Sequence, residues 1–367
     1  MREYLLTIAV AAAVTYLLVG VAGAVAHRWG AVPEIRDRDV HRFATPRLGG
    51  VAMAGGLLAA FVVASALPRL SVVFEFSADA RAVLAAATVI VLVGVADDVW
   101  DLDAVTKLAG QLVAGGLLVV NGLQLYWLPL PSGPLVLSPP LAGVLTVFTV
   151  LVAVNAVNFV DGLDGLAAGV VGIGAAAFFT YSYILAVELD LSRMTMPALI
   201  SASLCGICFG FLPANVNRAR IFMGDSGSML IGLLLAAGSI SLTGQLDSQV
   251  VPSTSFLPAV LPLVLPFAVI AVPFLDLVAA IWRRARAGRS VFAPDKQHLH
   301  HRLLERGHSH RRTVAILWVW AAVVSFGLVL IALWPSAWTV SLVVLAVLAV
   351  VMLTVLVPRV SEPVPLP

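Results

Sequence analysis

The chain has 367 residues, 60% of them hydrophobic and 11% charged, with a formal net charge of +2; its mean hydropathy is +1.02. A soluble domain carries roughly 25% charged residues, so this composition excludes an ordinary water-soluble fold and makes lipid the solvent. The small net charge says little about partners; the placement of the charges says more. The expected fold class is an all-α polytopic integral membrane protein.

A helical span needs about 20 apolar residues. Eleven candidates follow along the chain, near 3–26, 47–67, 82–100, 104–121, 139–157, 164–186, 195–212, 227–243, 258–282, 313–333 and 337–357. The first exceeds the roughly 7–15 apolar residues of a signal-peptide core, and Arg and His follow it, so it reads as a retained helix. Between the fourth and fifth spans, "GLQLYWLPLPSGPLVLSPP" is alternating and rich in Pro and Gly, which predicts a small extracytoplasmic hairpin. Cys205 and Cys208 lie inside an apolar run and read as small packing residues rather than a redox pair or a zinc site. No repeat and no separate soluble domain is visible. Residues 1–367 are read as one domain, with a motif-bearing part at about 40–312 and two last helices within 313–357.

Assigning the connections alternately to two sides puts 18 Lys and Arg on one side and four on the other. The positive-inside rule makes the first side cytoplasmic, with the N-terminus outside and the C-terminus inside. The expected location is the plasma (inner) membrane. The polar stretches "HRFATPRLGG" (41–50), "VADDVWDLD" (95–103), "NAVNFVDGLDG" (155–165), "PANVNRARIFMGDSGS" (213–228) and "PDKQHLHHRLLERGHSH" (294–310) all fall on that side. A charge at the bilayer centre costs on the order of 3 kcal/mol by the mildest scale. Five such stretches at one face therefore predict a shared site at the membrane–cytoplasm boundary.

Asp97, Asp98 and Asp101 form D-D-x-x-D, with positions 97 and 101 expected on one helical face. Adjacent like charges call for a cation, and hard cations such as Mg²⁺ take oxygen ligands; a solvated helix end is the plainer alternative. Asn155, Asn158, Asp161 and Asp164 recur every three residues, more than helix capping requires, and Gly162 and Gly165 permit a tight turn. Asp225 lies in "GDSGS" just before a span, where it could cap the helix, or hold a metal beside an anion at the helix N-terminus. Asn215, Asn217, Arg218 and Arg220 add donors upstream. His298, His300 and His301 lack the spacing of a zinc site and read, with Arg302, as hydrogen-bond donors to phosphate. Carboxylates for a metal, basic groups for phosphates and a membrane location together suit phosphoryl transfer.

The set "TPRLGG", "DDVWD", "NAVNFVDGLDGLAAG", "NRARIFMGDSGS" and "PDKQHLHHRL" resembles the polyprenyl-phosphate N-acetylhexosamine-1-phosphate transferases, over about residues 40–312 and in motif order. The histidine stretch is similar to that of the branch using plain N-acetylglucosamine. The resemblance implies a Mg²⁺-dependent reaction (with Mn²⁺ as an alternative ion). In it, UDP-N-acetylglucosamine and a polyprenyl phosphate, undecaprenyl or decaprenyl, give polyprenyl-diphospho-N-acetylglucosamine and UMP, a first membrane step of cell-envelope glycan synthesis. It implies that Asp97 and Asp98 match the paired acids at the lipid phosphate and Asp225 the magnesium-binding aspartate. Asn158 and Asp161 match positions flanking metal and diphosphate, with Asp161 counted as catalytic, and Asp164 matches the uridine side. His298, His300, His301 and Arg302 match the loop for the nucleotide-sugar phosphates, with Asn215 among the substrate-binding residues. Thr45 and Arg47 match a stretch near the lipid-phosphate entrance. Substrates, lipid carrier and membrane lipids are the expected partners, with no nucleic acid; a homodimer is an assembly the resemblance allows. The alternatives are a muramoyl-pentapeptide phosphotransferase, an aromatic prenyltransferase and an ion-coupled transporter. A transporter would place its ionisable residues near the bilayer midplane within repeats.

Overall fold

The structure is a computed structural model that describes residues 1–32, 45–130, 133–187, 191, 194–216, 218–245, 260–265, 268, 286 and 309–356. Its helices are α1 (Arg2–Trp29), α2 (Gly49–Ser65), α3 (Ser71–Phe76), α4 (Asp79–Trp100), α5 (Ala104–Val120), α6 (Pro139–Val160), α7 (Leu166–Val187), α8 (Thr195–Asn215), α9 (Gly224–Gln245), α10 (His310–Leu333) and α11 (Ala337–Leu356). Among the described residues, eight helices are long and apolar enough to cross a membrane, and α2 and α5 are shorter apolar helices. The chain is thus an all-α polytopic membrane protein, because in lipid the backbone must satisfy its own hydrogen bonds. Ten expected spans coincide with helices; 258–282 lies mostly outside the described residues, of which 260–265 are helical. The six-residue α3 has no counterpart in the hydropathy reading.

The only sheet among the described residues is the hairpin β1 (Trp127–Leu130) and β2 (Gly133–Val136), antiparallel, with Trp127 opposite Val136 and Leu130 opposite Gly133. It packs near the C-terminal end of α9, where Gly244 lies against Gln124 and Tyr126.

Helices α8 and α9 form the centre, with nearly all of their membrane windows buried, as expected of helices apolar on every side. Around α9 pack α4, α6, α8 and α2; α1 packs on α2 and α8, α10 on α7, and α11 on α10. Cys205 and Cys208 are free and buried in this core. Where α9 passes α6, a Cβ on Gly232 would meet Val154 Cα at 2.7 Å, so backbones touch there. The bundle brings the C-terminal ends of α4, α6 and α8 to the same end as the N-terminal ends of α2, α5, α7 and α9.

Candidate active site at one end of the bundle

Helix α4 ends at Trp100, and Asp101 caps it in the left-handed region at φ 52°, its N–H bonded to Asp97 O at 2.8 Å. The expected sharing of one helical face by Asp97 and Asp101 is therefore corrected. Asp101 lies beyond the helix and is exposed, because the chain must reverse within three residues to start α5. Aspartate tolerates that backbone better than most residues.

Asp103 opens α5. Its carboxylate accepts from the N–H groups of Val105 at 2.9 Å and Thr106 at 3.0 Å, and from Thr106 Oγ1 at 2.6 Å, a full N-cap. The Thr106 bonds hold its carboxyl below the usual range. This cap sets Lys107 one turn into α5, where its Nζ stands 2.7 Å from Asp97 Oδ2 and 3.1 Å from Asp225 Oδ2. Asp97, 8% exposed, also accepts the Leu102 N–H through Oδ1 at 2.9 Å. Asn158, in the last turn of α6, directs Nδ2 to Asp225 Oδ2 at 3.4 Å and accepts from Ser228 Oγ through Oδ1 at 3.2 Å.

Asp98, next to Asp97, has different surroundings. Its Oδ1 accepts the Asp225 N–H at 2.8 Å and its Oδ2 the Ser226 N–H at 3.1 Å. The anion at the α9 N-terminus is thus the chain's own carboxylate.

The turn 161–165 follows α6. Asp161 is the C-cap of that helix and is half-buried. Burial pushes its carboxyl up to about 7, the charges of Asp225, Asp98 and Asp164 add to the rise, and Arg47 opposes it. Behind it, buried Asp164 accepts the Ala219 N–H through Oδ2 at 3.1 Å. Asn215, also buried, accepts the Gly165 N–H through Oδ1 at 2.9 Å and gives Nδ2 to Ile221 O at 3.0 Å. Both polar ends of Asn215 are thus engaged within the chain, where the sequence suggested a substrate contact. The Gly165 carbonyl accepts the Trp318 indole N–H at 3.1 Å, and a Cβ on Gly169 would run into that indole. Asn155 stands a turn deeper in α6, bonded to Gln111 Oε1 at 2.7 Å.

Thr45, buried, and Arg47, exposed, lie on the segment that leads into α2. This segment is zipped to the α8–α9 connection: Phe222 N–H gives to Pro46 O at 2.8 Å, and Gly49 and Gly50 give to Phe222 O and Met223 O at 3.0 Å each. Of the expected site residues, Asp97, Asp98, Asn158 and Asp225 are joined by direct bonds or through Lys107. Asp161 is coupled by charge to Asp225 and Asp98, and Arg47 to Asp161, and Asp164 and Asn215 form a layer behind. His298, His300, His301 and Arg302 lie outside the described residues, as does Asn217.

Lys107 is the residue that motif reading missed. It is the sole Lys or Arg between Arg81 and Arg193, one turn past an acidic triplet at a membrane face, and that isolation was the available signal. Among the described residues no three His, Cys, Asp or Glu side chains converge as a ready-made metal cluster. Two carboxylates do converge, with a lysine cation between them and an amide beside them. Mg²⁺ is commonly held by one or two carboxylates with substrate phosphates completing its shell. Asp97, Asp225 and Asn158 fit that mode, and they are the residues that could hold such an ion.

The model of glycosyl transferase family 4 matches residues 80–243, from α4 to α9. The chain is 45% identical over 331 residues to a decaprenyl-phosphate N-acetylglucosaminephosphotransferase of Mycobacterium leprae, covering 89% of this chain and 83% of that protein. It is 42% identical to the protein so named in Mycolicibacterium smegmatis, covering 89% and 82%. It is 30% identical over 315 residues to an undecaprenyl-phosphate alpha-N-acetylglucosaminyl 1-phosphate transferase of Yersinia pestis, covering 83% and 78%. The chain belongs to this transferase family.

Proposed function

We propose that the protein transfers N-acetylglucosamine 1-phosphate from UDP-N-acetylglucosamine to a polyprenyl phosphate, giving polyprenyl-diphospho-N-acetylglucosamine and UMP. One observation carries the reading: Lys107 bridges Asp97 and Asp225 beside Asn158, at the end of the bundle where five polar stretches were expected to meet. The names of the relatives support the polyprenyl phosphate acceptor and the N-acetylglucosamine phosphate that is transferred.

A lipid phosphate oxygen attacks the phosphorus that bears the sugar. The bond from that phosphorus to the bridging oxygen breaks, and UMP leaves with the electron pair. The second pKa of such a phosphate is near 6, so the nucleophile is largely ionised at neutral pH and no base is required. The work is positioning and charge neutralisation. Arg47, exposed beside Asp161, suits an incoming phosphate, and Lys107 supplies fixed positive charge among the acids. Asp97, Asp225 and Asn158 would hold Mg²⁺, which when bound screens the phosphate oxygens during transfer. Asn215 and Asp164 keep the 161–165 turn in place from behind. The distribution of Lys and Arg supports a site on the cytoplasmic face, and a role in cell-envelope glycan synthesis would put that face on the plasma membrane.

The test is UMP release by the purified full chain in detergent, with UDP-N-acetylglucosamine and decaprenyl or undecaprenyl phosphate. Lipid-dependent UMP that is lost on chelation is the expected result. Release of UDP would mean glycosyl transfer and overturn the reading.

A further inference from the structure

The two adjacent aspartates at the end of α4 have different partners. Successive side chains on a helix of 3.6 residues per turn diverge by about 100°, and here that divergence separates two tasks. Asp97 faces Lys107 and, through it, Asp225. Asp98 turns to the backbone of α9 and accepts the N–H groups of Asp225 and Ser226 at 2.8 and 3.1 Å. We propose that Asp98 is a positioning residue: it caps the first turn of α9 from a neighbouring helix and so fixes the direction of Asp225, leaving Asp97 as the member of the pair that faces the reacting groups.

Four further observations carry this. The residue before α9 is Met223, whose side chain has no oxygen to cap the helix, so the first-turn donors need an acceptor from elsewhere. Gly224 has φ +69°, and a Cβ there would stand 2.5 Å from Asp98 Oδ1 and 2.7 Å from Cγ; its missing side chain is what lets the carboxylate reach. Gly94, one turn earlier on α4, lets that helix press on the same turn, since its Cβ would meet Asp225 C at 2.7 Å and run into the Ser226 backbone. Closing from the other side, the α2 entry brings Gly50 against Ser226 and Gly227. A negative charge at a helix N-terminus is favourable, and bonds from backbone N–H to a carboxylate are among the stronger ones. The arrangement thus holds the Asp225 backbone on two sides while its side chain projects to Lys107 and Asn158.

This inference rests on the proposed transferase reading for its effect on turnover, but not for its effect on α9. The test compares Asp98→Asn and Asp98→Ala with the wild type by three readouts: amide hydrogen exchange at Asp225 and Ser226, Mn²⁺ binding followed by paramagnetic resonance, and steady-state kinetics. Asparagine keeps one oxygen acceptor, so Asp98→Asn should fold. Losing half of the cap should speed exchange at these amides about 2–5-fold, and losing all of it in Asp98→Ala about 5–30-fold, the equivalent of a lost cap. Weaker Mn²⁺ binding should follow, together with a lower kcat at nearly unchanged KM for either substrate. Asp98→Ala should be worse on all three. Unchanged exchange and Mn²⁺ binding, with both variants equally inactive, would overturn the proposal and make Asp98 a direct participant. If the wild type releases no UMP, the transferase reading fails, and the exchange rates alone decide whether Asp98 holds α9.

Discussion

Lys107 Nζ and Asp225 Oδ2 stand 3.1 Å apart although 118 residues separate them, and the same ammonium lies 2.7 Å from Asp97. The lysine enters the site from the first turn of a helix capped by Asp103, and the two carboxylates hold its ammonium there. One cation between two carboxylates, at the edge of a low-dielectric bundle, is the central electrostatic feature of the site.

Removing that cation should separate metal binding from turnover. Lys107→Ala leaves Asp97 and Asp225 facing each other uncompensated, so a divalent cation should bind more tightly than to the wild type. Turnover should fall by about 10²–10³, the scale for losing one preorganised charge or donor at a phosphoryl or acyl centre. Calorimetric Mg²⁺ titration beside the UMP assay reads both. Weaker metal binding with the loss of turnover would mean that Lys107 organises the acids rather than competing for them.

Asp161 should give the folded protein an unusual pH dependence. Its carboxyl is pushed up to about 7 by burial and by the neighbouring acids, against an ordinary value near 3.9. Between about pH 4 and 7 the folded state therefore keeps a proton that the unfolded chain has lost. Stability then falls as pH rises through that window and levels off above it. Thermal midpoints in detergent should drop from pH 5 to pH 8 in metal-free wild type. In Asp161→Asn that drop should be smaller, with the variant the more stable protein at pH 8. A wild type and variant of equal slope would show that the Asp161 carboxyl titrates normally.

Trp318 belongs to a helix beyond the matched region 80–243, yet it holds the Gly165 carbonyl while Asn215 holds the N–H of the same residue. Trp318→Phe keeps a ring against Gly169 and loses the donor. It should cost about 1 kcal/mol of stability, the scale of one hydrogen bond, and raise KM for UDP-N-acetylglucosamine more than KM for the lipid. Thermal melts and two-substrate kinetics check both; an equal rise in the two KM values would detach this bond from the nucleotide side of the site.

Hydropathy alone placed ten of the described helices, because a run of about 20 apolar residues has few other readings, and the bias of Lys and Arg gathered the acids at one end. What the sequence withheld were the contacts between helices. Helices such as α8 and α9 are apolar on every face, so no periodicity says which side of α9 meets α4 or which of two adjacent aspartates meets it. Asn215 looked like a loop donor to substrate, and only the packing of α7 against α8 shows its amide turned inward to Gly165. Lys107 was hidden because a single lysine beside an apolar run reads as a membrane-edge anchor. Asp101 was misplaced onto a helical face because the helix end at Trp100 carries neither Gly nor Pro.

Glycine substitutions test the close approach of α4 to α9 without touching an ionisable group. A methyl at Gly94 would press into the backbone of Asp225 and Ser226, and backbone cannot swing aside as a flexible side chain does. Gly94→Ala should therefore push α4 from α9, lengthen the bonds from Asp98, and abolish most of the turnover, at a stability cost of about 1–3 kcal/mol for overpacking. Gly116, inside α5, has nothing within 4 Å of where its Cβ would stand. Gly116→Ala should be neutral or stabilising by up to about 1 kcal/mol, from helix propensity alone, with activity unchanged. Melting curves and UMP release for the two variants separate a specific backbone contact from a general intolerance of alanine in these helices. Equal loss in both would mean a general intolerance of alanine, and wild-type behaviour of both would mean that α4 and α9 can part without consequence for the site.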